Sequence, residues 1–139
     1  MSLNDRIEAL ARDLARRESS HLDAIEKAQY KAGELHRQVD AAIARFNEVV
    51  SLSIPYLEVS VSALRVDDKH LHAVEFDLER GRHRAIVTVK SKGEITLVGP
   101  FQSGKTEGPC RSFAFDAEAE LQDALAAFLE RFLEEAAAP

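Results

Sequence analysis

The sequence predicts an α+β fold: a long, coiled-coil-like N-terminal α-helix, an antiparallel β-meander of about four to five strands, and a C-terminal α-helix packed on the sheet. Three observations carry this. Residues 3–50 contain no proline and a single glycine, Gly33, and are rich in Ala, Leu, Glu, Arg and Gln, which lose little rotamer freedom in a helix. Residues 57–115 alternate apolar and polar positions between short turn signals, the period of a half-buried strand. Residues 116–135 return to a helical period, with apolar residues on one broad stripe.

The N-terminal helix opens on Ser2 and Asp5, a capping pattern. Its apolar residues step by three and four: Leu3, Ile7, Leu10 and Leu14, then Ile25, Ala28, Ala32, Leu35, Val39, Ala42 and Phe46. The second group reads as an a/d seam over more than three heptads. Between the groups, around Glu18 to His21, the spacing needs a four-residue insertion, a stutter. The same place offers a helix break at Ser19-Ser20, with Ser20 and Asp23 as a second capping pattern. A continuous or nearly continuous helix is the preferred reading, and a helical hairpin the competing one. A straight helix of this length spans roughly 70 Å, whereas the rest of the chain makes a globule of about 30 Å. An exposed seam would then need covering, and a second copy related by a twofold axis is the simplest cover. Residues 1–52 are accordingly expected to form a helical segment and 53–139 a two-layer α+β domain.

Pro55 ends the helix. Leu57, Val59 and Val61 alternate with polar residues, and the apolar phase slips after Ala63, which predicts a bulge or a strand end. His72, Val74, Phe76 and Leu78 form the next strand, Ala85, Val87 and Val89 another, Ile95 and Leu97 a third, and Phe113 and Phe115 the last. Asp67-Asp68-Lys69, Arg80-Gly81-Arg82 and Ser91 to Glu94 supply the turns, so the strands run antiparallel with one buried face. Asp116 is the expected N-cap of the closing helix, whose stripe is Leu121, Leu125, Phe128, Leu129, Phe132 and Leu133.

One motif invites a specific chemistry. Gly99-Pro100-Phe101-Gln102-Ser103-Gly104-Lys105-Thr106 fits the phosphate-binding pattern G-x-x-x-x-G-K-[ST] letter for letter. A phosphate cradle needs Lys105 and Thr106 to open a helix, but Gly108-Pro109 follows at once and residues 111–115 read as a strand. The match is therefore taken as a coincidence on a glycine-rich connection between antiparallel strands. A simpler anion site made of Gly104, Lys105, Thr106 and Arg111 is the secondary expectation.

His70 and His72 share a strand face, but no third ligand stands near them except Asp67 or Asp68, so no metal site is expected. Cys110 is the sole cysteine, which excludes an internal disulfide and fits a reducing, cytoplasmic setting. The basic residues Arg80, Arg82, His83, Arg84, Lys90 and Lys92 cluster near hairpin turns without Trp or Tyr between them. With a net charge of −6, nucleic-acid binding is not expected, and no apolar run is long enough to cross a membrane. The expectation is a non-enzymatic interaction or assembly protein without cofactor, homodimeric through its N-terminal helix at Ile25, Ala28, Ala32, Leu35, Val39, Ala42 and Phe46, with another protein as the alternative partner. Nucleotide binding through the GPFQSGKT loop and nucleic-acid binding through the basic hairpins are the alternatives.

Overall fold

The computed structural model describes residues 1–66, 72–104 and 108–138. The α+β expectation holds: a long bent N-terminal helix, an antiparallel sheet and a C-terminal helix packed against it. Helix α1 runs Leu3–Ser19 and α2 runs Leu22–Ser51. After a 3-10 turn at Pro55–Leu57 come β1 (Ser60–Val61), β2 (Arg65–Val66), β3 (Ala73–Arg80), β4 (His83–Lys90), β5 (Glu94–Gln102), β6 (Cys110–Ala114) and α3 (Glu118–Ala137).

The capping box at Ser2 and Asp5 forms as expected, each residue's side chain accepting the other's backbone N–H. The second capping pattern does not. Ser20 turns its hydroxyl back to the carbonyl of Arg17, and His21 stands at the α2 N-cap position without a side-chain cap. Ser20 and His21 nevertheless keep near-helical backbone angles. The chain bends there and does not fold back. The hairpin alternative fails on packing, because α1 buries none of its residues.

Strands pair in the order β1-β3-β4-β5-β6, with β2 also on β3, and every pairing is antiparallel. Val61 lies opposite Leu78, but Arg65, four residues on, lies opposite Glu75, three residues back. That one-residue slip is the expected bulge after Ala63. Val74, Phe76, Leu78, Ala85, Val87, Val89, Ile95, Leu97 and Phe113 line one sheet face and are buried. Helices α2 and α3 lie side by side over that face, joined by Lys31–Glu118 at 2.7 Å and by paired amides of Gln38 and Gln122. The hydrogen bond from Lys31, more than the Lys31 charge, holds the Glu118 carboxyl below its usual range against an opposing desolvation, with help from a hydrogen bond from Gln122. The opposite face carries polar residues such as Glu75, Thr88, Thr96 and Ser112, in register across four strands.

Two local expectations are corrected. Asp116 lies in a turn, and Ala117 occupies the N-cap position of α3 with no side-chain cap. The run from Leu57 is a strand only at Ser60–Val61, because Pro55 fits the first turn of a 3-10 helix.

Candidate functional site

The expected dimer seam is spent inside the chain. Ala28, Ala32, Leu35 and Val39 are fully buried against the sheet, Ile25 and Phe46 are half-buried, and Ala42 faces solvent. Ile43 takes the place that the heptad gave to Ala42. The buried positions 28, 32, 35, 39 and 43 drift as those of a straight helix of 3.6 residues per turn do, whereas a supercoiled seam would hold to 3.5. The correction has a simple cause: a stripe of small and branched apolar residues fits a sheet as well as another helix, and here the sheet lies in the same chain.

The surface left over is on α1. Leu3, Ile7, Leu10 and Leu14 follow one another by four, three and four residues and stay 74%, 57%, 50% and 50% exposed. Past the bend, Leu22 is 53% exposed. Around this stripe α1 carries four arginines and four acidic residues, and Glu8–Arg12 and Asp13–Arg17 pair along the helix. At its end Glu18 receives His72 Nε2 at 2.9 Å, and the His21 and His72 rings stand 5.8 Å apart. These contacts tie the bend to the start of β3. His70 lies outside the described residues. Among the described residues no group of three His, Cys, Asp or Glu side chains could hold a metal ion.

Half of the phosphate-loop look-alike is strand. Gly99, Pro100, Phe101 and Gln102 belong to β5, and Gly104 follows in a turn. Lys105 and Thr106 lie outside the described residues. Gly99 has φ +109°, and its N–H donates to the Pro109 carbonyl at 2.7 Å. It sits where the β4–β5 register shifts between Arg84 and Ile86. A Cβ on Gly99 would come within 3.1 Å of both Ala85 Cα and the Arg84 carbonyl. Glycine is required there by packing and backbone angle, a local reason independent of any phosphate. Downstream, residues 110–114 form β6. Arg111 lies opposite Leu97 and so lies on the helix-covered side of the sheet.

The basic hairpin residues are largely engaged. Arg80 donates to the carbonyls of Tyr56 and Ala136, the second at the C-terminal end of α3 where a cation is favoured. Arg84 pairs with Asp77, which also takes Arg65 at 3.1 Å. Burial pushes the Asp77 carboxyl up, but hydrogen bonding from Arg84, Ser62 and Arg65 outweighs it, so its pKa lies below the ordinary value. Lys90 and Lys92 both approach Glu94, and the hydrogen bond from Lys90 leads in lowering the Glu94 pKa. Carboxylates on the sheet thus pair with three of the six, Arg84, Lys90 and Lys92.

No protein family model, curated protein or solved structure matches this chain. Among the described residues no helix is long and apolar enough to cross a membrane.

Proposed function

We propose that this protein is an interaction and assembly module that homodimerises through α1. One observation carries the reading: the stripe Leu3, Ile7, Leu10 and Leu14 is at least half exposed on a helix that buries nothing of its own. A helix with an apolar face and no partner leaves that face in water, which is unfavourable and marks an interaction site. A second copy is the favoured occupant. An identical stripe meets itself about a twofold axis, and the four Arg and four Asp/Glu of α1 leave the segment without net charge, so two copies do not repel there despite the −6 of the whole chain.

The magnitude is modest. Burying the exposed half of a Leu or Ile side chain is worth about 1 kcal/mol, so eight side chains supply about 8 kcal/mol before an association cost of at least ~4 kcal/mol. The surplus is about 4 kcal/mol at the lowest association cost, so the dimer should be weak and concentration-dependent, with a dissociation constant near ~1 mM. Sedimentation equilibrium over a concentration series tests it. The average mass of the wild type should rise measurably above the 15.4 kDa chain mass as the concentration nears ~1 mM, and Ile7→Lys with Leu10→Lys should hold the chain monomeric. A wild type whose mass does not rise by ~1 mM, where a surplus of about 4 kcal/mol puts roughly half the chains in dimers, would overturn the proposal.

A further inference from the structure

A cleft of about 170 Å³ opens between the β5–β6 edge and α3. Its floor is apolar: Leu97, Ala124 and Phe128. Two arginines also line it, Arg111 from β6 and Arg131 from α3. The space exists because the positions facing each other are small. Gly99 has no side chain, and Ala124 and Ala127 present only methyl groups. The register explains why Arg111 is there. It lies opposite Leu97, while Phe113 lies opposite Ile95, so Arg111 and Phe113 share the helix-covered face, and the Arg111 guanidinium carbon sits 5.0 Å from the centre of the Phe113 ring. Arg131 engages Glu135 through Nε at 3.0 Å, which leaves its two terminal nitrogens to face other acceptors.

An inward-pointing arginine on an edge strand has an ordinary use, since it deters edge-to-edge pairing. That accounts for Arg111, and Arg131 has an i,i+4 partner in Glu135, but neither use requires the two arginines to line one apolar cleft. Two forked cations over an apolar floor match a ligand with a carboxylate at one end and an apolar body at the other. Size sets the body: a cavity of about 150 Å³ accommodates one benzene ring. An inorganic anion is a poor fit, because the floor offers it no hydrogen bonds.

We infer that the cleft between β6 and α3 binds a small aromatic carboxylate, its ring on Leu97, Ala124 and Phe128 and its carboxylate held by Arg111 and Arg131. The inference is independent of the dimer, since the residues of the cleft and of α1 do not overlap. Titration of the full-length protein followed by amide chemical shifts tests it, with benzoate, its neutral isostere benzamide, and acetate as probes. Benzoate should bind saturably and shift the amides of Gly99, Arg111 and Ala127. Benzamide and acetate should each bind about tenfold more weakly, having lost the charged or the apolar half. Arg111→Gln and Arg131→Gln should each weaken benzoate about tenfold, as expected for a lost charge-assisted bond. Ala127→Leu should fill the cleft and abolish binding in a protein whose remaining spectrum is unchanged. Benzoate shifts scattered over surface lysines, benzamide binding as tightly as benzoate, or affinity indifferent to both arginine changes would each overturn the assignment.

Discussion

The side-chain amide of Asn47 satisfies the backbone of Val59 on both sides: Nδ2 donates to the Val59 carbonyl at 2.9 Å, and Oδ1 accepts the Val59 N–H at 2.8 Å. Asn47 thus acts as one rung of a strand presented by a helix. It anchors the chain leaving α2 just before β1, where Val59 is 5% exposed and its backbone groups have little access to water.

Replacing Asn47 by Ala should therefore cost about 2 kcal/mol, since it orphans a buried donor and a buried acceptor together. Asn47→Asp restores only the acceptor and sets a carboxylate against the Val59 carbonyl, so it should cost about as much. Urea unfolding midpoints measure both. An Asp variant as stable as wild type would show that the two bonds do not act as a pair.

The two helical stripes should respond oppositely to mutation. Leu35 is 1% exposed under the sheet, so Leu35→Ala should destabilise the monomer by about 2–4 kcal/mol through a cavity. Ile7→Lys with Leu10→Lys should change monomer stability by less than about 0.5 kcal/mol, as surface substitutions do, while removing self-association. Unfolding at low micromolar concentration separates the two effects. A large loss of monomer stability on changing α1 would mean that α1 packs on its own chain.

That contrast also marks how far the sequence was legible. The helices, the meander, the bulge after Ala63 and the covering of the sheet by α3 follow from period and turn chemistry, which act locally. The direction that the α2 stripe faces does not. Ala28, Ala32, Leu35 and Val39 satisfy a helix partner and a sheet partner alike, and only the drift to Ile43 distinguishes them. Asp116 fails as a cap because its neighbours already hold the turn: the Phe115 N–H goes to Gly93 and the Ala117 N–H to Ala114. The cleft at Arg111 and Arg131 joins residues twenty positions apart through strand register and helix placement, which no local pattern encodes. The signal that was available is Arg111 itself, an in-phase charge two residues before Phe113.

Asp77 should make the protein sensitive to acid. It is 5% exposed and bridges Arg84 and Arg65, which are partly solvated. Its pKa in the folded protein lies below the ordinary 3.8, so its contribution is complete at neutral pH and disappears as pH falls from that value through the lower, folded one. Asp77→Asn should cost about 2–3 kcal/mol at pH 7, somewhat less than a fully buried broken pair because both arginines reach water. The gap between variant and wild type should close as pH drops below about 4. Denaturant titrations at a series of pH values check this, and a constant gap down to pH 2 would show that the carboxylate charge is not the source.

Gly99 and Gly104 bracket the phosphate-loop pattern and should differ in what they tolerate. Both have positive φ, +109° and +90°. At Gly104 a Cβ would meet nothing within 4 Å, whereas at Gly99 it would press on Ala85 Cα and the Arg84 carbonyl at 3.1 Å. Those are backbone atoms of the adjacent strand and cannot turn aside as a side chain could. Gly104→Ala should cost about 1 kcal/mol, the backbone penalty alone. Gly99→Ala should cost about 2–3 kcal/mol, because the bulge must open as well. Thermal unfolding of the two variants side by side gives the comparison. Equal losses would remove packing against β4 as the reason for Gly99 and return that glycine to the motif in which it first drew notice.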